Sequence, residues 1–221
     1  MPEETRRNTG LVEHAPIAAG SGPEVPPSRQ RPLDVRAMSG EQRRAFEEFS
    51  KTRKLRSDGY FGGPWDLFLL NPQILERMVL PGADVLWENT SLDRGLVELI
   101  ICITASLWAA DIEWWAHAPR AIEHGIPESV LGDILAKRRP AQATPEQHLA
   151  QEIVESLHFN RTLDEDCFRR GVNTFGERGL IEVLTISGFY VMVAMNLNAF
   201  QVQVPPGHAS PFAERLNKKT G

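Results

Sequence analysis

The sequence predicts an all-α protein, and three observations carry that reading. Apolar residues recur at helical spacing, while no stretch alternates with period two between turns. Helix-start signals, a Ser, Thr, Asp or Asn ahead of an apolar run, follow one another from Ser39 onward. The final segment is apolar nearly all round its helical projection, which implies burial on every side and therefore neighbouring subunits.

Taken in order, residues 1–36 are rich in Pro, Gly, Ser and charge without apolar period, and read as a flexible arm that packs on a neighbour only near its end. Residues 37–206 form the helical domain. Ser39 with Gln42 makes a capping box for a helix to about Lys54, with Phe46 and Phe49 on its buried face. Gly59 to Pro64 is a glycine-rich turn. Asn71 followed by Pro72 starts a helix to about Leu80, where Pro81-Gly82 breaks or kinks it, and a short piece covers Ala83 to Glu88. Ser91 is expected to cap an apolar helix to about Trp108. Asp111 reads as the N-cap of a segment ending at His124, with Gly125 as its left-handed stop. Pro127 opens a helix to about Lys137, Thr144 with Gln147 one to about Phe159, and Thr162 with Glu165 one to about Phe175; the last spans about Glu177 to Phe200. Residues 207–221 read as a frayed tail.

Composition narrows the class. The 221 residues carry a net charge of −5, with 42% hydrophobic and 24% charged, a globular balance without the basic stripe of a nucleic-acid surface. Cys102 lies in an apolar run and reads as a buried hydrophobe; Cys167, on a charged helix, is expected to be partly exposed. Two such cysteines imply no disulfide framework and fit a reducing cytoplasm. The N-terminal residues lack the apolar core of a signal peptide. Val183 to Phe200 is uncharged and near spanning length, yet contains Asn196 and Asn198, so a buried helix at an oligomer core is preferred to a membrane span.

The chemistry concentrates between Glu98 and His117. Glu113 and His117 are four apart and share a helical face, so both can reach one small ligand. Glu98, flanked by Val97 and Leu99, is a buried carboxylate that needs a partner, and His117 can be that partner. The plain structural alternatives are an intrahelical Glu113–His117 pair on a wet face and a Glu98–Arg94 ion pair. Trp108, Trp114 and Trp115 argue against a wet face. Tyr190 is either a site hydroxyl or a packing residue, and Asn198 either lines a pocket or caps a helix end. His124 reads as a surface residue at a helix end.

The frame of these residues resembles the alkylhydroperoxidase-like superfamily: a Glu, a Cys twelve residues on, a second Cys three further, and a His four further. Here the positions hold Glu98, Ala110, Glu113 and His117, so the frame is kept and both cysteines are replaced. The flank Ile112-Glu113-Trp114-Trp115-Ala116-His117 resembles the Tyr/Phe-Glu-Trp-x-x-His pattern of the carboxymuconolactone decarboxylase-like branch. Gly63-Pro64 through Asn71-Pro72, and Gly188-Phe189-Tyr190 followed by Ala194 to Phe200, are similar to that branch's early and late segments. The likeness covers roughly residues 38–206. Two positions depart from it: Asn71 stands for a His and Phe189 for a Tyr.

The resemblance implies an alkylhydroperoxidase-like helical bundle that is an obligate oligomer, a homotrimer or homohexamer. It implies a lyase-like enzyme doing cofactor-free acid–base chemistry on a small carboxylated or lactone substrate. His117 would be the principal proton-transfer group, Glu113 its partner and Glu98 its orienting carboxylate. Trp114, Tyr190, Asn71, Trp65 and Asn198 would surround the substrate. Thiol peroxidase chemistry is not expected without the cysteine pair. Glu98, Glu113 and His117 also make a possible metal-ligand set, but the scaffold does not generally use a metal here, and none is expected. Partners other than the substrate and further copies of the chain are not expected: no nucleic acid and no membrane. The alternatives on the same scaffold are an isomerase, dehydratase or lactone hydrolase, or an oligomer that binds a small molecule without turning it over.

Overall fold

The computed structural model describes residues 28–57 and 59–213. Among them all regular structure is helical: α1 (Gly40–Ser50), α2 (Trp65–Leu69), α3 (Pro72–Ile74), a π-helical turn (Leu75–Val79), α4 (Leu80–Glu88), α5 (Arg94–Trp108), α6 (Asp111–Glu123), α7 (Glu128–Leu135), α8 (Pro145–Asn160) and α9 (Glu165–Ala199). The all-α expectation holds.

The helix packed on all sides is α5. Every residue from Gly95 to Ser106 is buried, with α6, α7, α8 and α9 packed around it. The sequence reading has the last helix buried on every side only with the help of neighbouring subunits. In the single chain α9 leaves Ile181 62% and Met195 51% exposed. By length and hydropathy α9 is long and apolar enough to cross a membrane. Its backbone breaks at Gly176 (φ 70°, ψ 169°), a left-handed conformation that glycine adopts at little cost. The break falls between the two helices that the sequence predicts.

Local signals set several ends. Ser39–Gln42 and Thr144–Gln147 both form complete capping boxes. Elsewhere the cap moves. Asp93, not Ser91, caps α5, accepting from the backbone N–H of Gly95 and Leu96, while Ser91 donates its hydroxyl to Glu182 on α9. Asp164, not Thr162, caps α9. Ala110, not Asp111, precedes α6; the Asp111 carboxylate accepts from Ser210 Oγ and from the Phe212 backbone N–H. Those bonds hold the segment after Pro206 against α6, with Phe212 1% exposed and set edge-on to Trp114, so residues 207–213 are not frayed. Residues 214–221, like 1–27, lie outside the described residues.

Pro81-Gly82 does not interrupt the chain as expected. The π turn, closed by the Leu80 N–H to the Leu75 carbonyl, lets one helical run pass from α3 into α4, the wider turn just before Pro81 accommodating a residue that has no N–H to give. Cys167 is buried, contrary to the charged look of its helix, because one face of α9 packs on α8.

Two apolar clusters result. One surrounds α5 with Ile100, Ile103, Val130, Ile153, Val183 and Ile186. The other joins Phe49, Phe61, Leu69, Leu75 and Val79 to Ile112, Val193 and Leu197. The start of α5 lies directly on the end of α6: a Cβ built on Gly95 would sit 2.5 Å from the His124 carbonyl oxygen. Backbone cannot swing aside as a side-chain tip can. Gly95→Ala is therefore expected to lower stability by about 1–3 kcal/mol, read as a fall in the urea midpoint at unchanged m-value.

Candidate functional site

At the seam between the two clusters is a cavity of ≈ 300 Å³. Phe49, Val79, Ile112 and Val193 from one side and Trp87 and Tyr190 from the other line it, with Trp65, Trp115 and Phe189. Its polar wall comes chiefly from α6, which places Glu113, His117 and Arg120 on it at spacings of four and three, one helical face.

His117 is 7% exposed and Glu98, beneath it on α5, is fully buried. His117 Nδ1 lies 2.7 Å from Glu98 Oε2. The other Glu98 oxygen is 3.4 Å from Arg94 Nη2, and Arg94 also donates to the Trp87 carbonyl. Glu98 thus joins the histidine to a cation and both sequence readings of it hold together. Burial draws the His117 pKa below its ordinary value. The Glu98 hydrogen bond and charge oppose that, and Arg120 and Arg94 reinforce it. A neutral His117 donates through Nδ1 to Glu98 and keeps Nε2 as an acceptor for the cavity. The imidazole is held edge-on between Trp87 and Tyr190, at centroid distances of 5.5 and 5.0 Å.

Glu113 is in the opposite situation. It is 2% exposed, and neither carboxyl oxygen has a hydrogen-bond partner. Desolvation alone raises its pKa well above the ordinary carboxyl value, because burial without a partner favours the protonated form over the charged one. The sequence made Glu113 the partner of His117; that partner is Glu98, because the α5–α6 packing brings Glu98 to Nδ1, while Glu113 lines the cavity with both oxygens buried and unbonded. Tyr190 accepts a 3.1 Å hydrogen bond from Trp87 Nε1, and burial raises its pKa, so its hydroxyl stays protonated.

Comparison with family models, curated proteins and solved structures finds no match. The site is therefore read from its own geometry.

Of the residues expected around a substrate, Trp65 and Tyr190 line the cavity and three do not. Trp114 faces Phe212 on the other side of α6; its neighbour Trp115 is the one on the cavity. Asn71 is exposed and spends its carbonyl capping α3, accepting from the Ile74 N–H at 3.4 Å. Asn198 donates to the Trp108 carbonyl at 2.7 Å, closing the end of α5. Short polar side chains beside helix ends are taken up by backbone groups, and both asparagines follow that rule. Sequence reasoning missed Trp87, Arg53 and Arg120. No local motif marks them, since they reach the cavity from α4, from the turn after α1 and from the last turn of α6. Among the described residues, Glu98, Glu113 and His117 do not group as a metal-binding cluster.

Proposed function

We propose that the protein is a cofactor-free acid–base enzyme acting on a small carboxylated or lactone substrate, by decarboxylation or a related proton transfer. The observation that carries this is one buried cavity wall holding a partnerless carboxyl, Glu113, whose pKa burial raises, four residues from a carboxylate-oriented imidazole, His117, whose pKa burial lowers. Environments that push two titratable groups apart, acid up and base down, are how acid and base are prepared at one pH. Thiol chemistry has no support here: Cys102 is buried and burial raises its pKa far above the reactive range.

In a decarboxylation, the breaking carbon–carbon bond leaves its electron pair on the conjugated substrate and carbon dioxide departs. The Glu113 carboxyl then delivers a proton to that carbon and is left as a carboxylate; His117 Nε2 takes a proton from solvent and passes it to Glu113, restoring both groups for the next turnover. Glu98 holds His117 in the tautomer with Nδ1–H and is a positioning residue. The Tyr190 hydroxyl and Trp65 bound the substrate. An oligomer of the alkylhydroperoxidase-like kind, trimeric or hexameric, accords with the apolar side chains that the single chain leaves uncovered, Leu70, Ile74, Met78, Ile181 and Met195.

The test is turnover of carboxylated butenolides, followed by carbon dioxide release, by wild type and by His117→Ala. The expected loss is about 10²–10⁴-fold, and equal rates would remove His117 from the mechanism. The rate should rise with pH through the depressed His117 pKa and fall as pH passes the raised Glu113 pKa.

A further inference from the structure

We propose that Arg53 and Arg120 form a carboxylate clamp in this cavity, and that its ligand is a small unsaturated or aromatic acid whose carboxylate bridges the two guanidiniums. The inference rests on reading the cavity as a ligand site and specifies what it recognises.

Both arginines line the cavity, and among the described residues neither makes a hydrogen bond or ion pair to a carboxylate. That sets them apart from Arg94, Arg138, Arg170 and Arg178, which pair with Glu98, Asp133, Glu152 and Glu182. What holds them is aromatic. The Arg53 guanidinium carbon lies 4.7 Å from the Trp65 ring centroid, and that of Arg120 lies 5.2 Å from that of Trp87. Contact with a ring occupies the face of a guanidinium and leaves its N–H edge to bind an anion in the plane.

The charges around them sharpen the case. Burial and the positive charge of Arg120 push the Arg53 pKa down to about 10 against the opposing charge of Asp66, and an anion between the two arginines would relieve their repulsion. The acid on the cavity wall, Glu113, makes no bond to either arginine, and burial disfavours its charged form. His117 is neutral, its Glu98 already paired with Arg94. Asp84 and Glu88 also reach the cavity, but both are exposed on α4. The interior of the cavity is thus cationic and aromatic, which suits a carboxylate on a flat apolar body.

The experiment is a tryptophan-fluorescence titration of the full chain with benzoate, 2-furoate and trans-cinnamate, each against its primary amide. At least one acid is expected to bind about tenfold or more tightly than its amide, because the amide forfeits the charge-assisted fork. Arg53→Gln and Arg120→Gln should each abolish that preference. Arg53→Lys, which keeps the charge and loses the fork, should retain part of it, and circular dichroism checks that each variant is folded. Amides binding as well as acids throughout the panel, or a preference that survives both glutamine substitutions, overturns the clamp. Failure of the acid–base reading looks different: an arginine-dependent preference for acids that persists in wild type and in His117→Ala, without turnover of any of them.

Discussion

Glu113→Gln is expected to make the protein more stable and to stop it working. Glutamine has nearly the shape of the protonated acid and no charge to desolvate. The wild-type carboxyl is buried without a partner, and its folded-state pKa lies well above the unfolded value. The sign follows from proton linkage. A group whose pKa is raised by folding contributes most below its unfolded pKa, and the contribution is lost as pH rises toward the folded pKa. Between those two values wild type loses about 1.4 kcal/mol per pH unit relative to a variant that cannot titrate. The stability gap between Glu113→Gln and wild type should therefore be small at pH 4 and widen as pH rises toward the folded-state pKa. Parallel urea unfolding curves across that range measure it. Turnover should fall by about 10²-fold or more, since the amide cannot deliver a proton to carbon. A stability gain coupled to loss of activity marks a strained functional group, whereas a structural carboxyl would show loss of both. A gap that stays flat with pH would mean that Glu113 titrates normally and is not the acid.

How much of this was legible in the sequence depends on the range of the interaction. The capping boxes at Ser39 and Thr144 are closed by residues three positions away, so sequence suffices. Ser91 looked equally good as a cap, but its hydroxyl is drawn away by Glu182, 91 residues later, and Asp93 takes over. The break near Gly176 was readable because glycine can adopt its conformation; the passage through Pro81 was not, because a π turn leaves no pattern in composition. The same division holds at the site. Glu113 and His117 share a face by helical spacing alone. The Trp114–Trp115 choice needed the direction of the core, since adjacent residues on a helix lie about 100° apart and Phe212 claims one of them. Trp87, Arg53 and Arg120 have no motif to announce them; the folding of α1 and α4 against α6 makes them neighbours.

Glu98→Gln and Glu98→Ala are expected to separate what this carboxylate does for the fold from what it does for His117. Removing one member of a buried ion pair costs about 3–5 kcal/mol, and Glu98→Ala adds a cavity beneath the histidine, so the alanine variant should fall at or beyond the upper end. Glu98→Gln keeps the volume and one hydrogen bond, and Arg94 is 27% exposed and can turn to water, so its loss should be nearer 2 kcal/mol. The functional effect does not scale with stability. An amide can donate to Nδ1 as readily as accept from it, which allows the tautomer that turns a proton rather than a lone pair toward the cavity. A carboxylate-to-amide change behind a catalytic histidine is known to cost up to about 10⁴-fold in rate with geometry intact. Glu98 also raises the His117 pKa against burial, so its removal should lower that pKa further and move the acid limb of the rate profile to lower pH. Proton-detected titration of His117 reads this directly, and a purely structural glutamate would leave the limb in place. Adding Arg94→Met to Glu98→Gln removes the cation left without its partner. Stability should then recover in part, because a buried pair replaced by neutral groups is often tolerated. Activity should not recover, because the histidine still lacks the charge that fixes its proton on Nδ1.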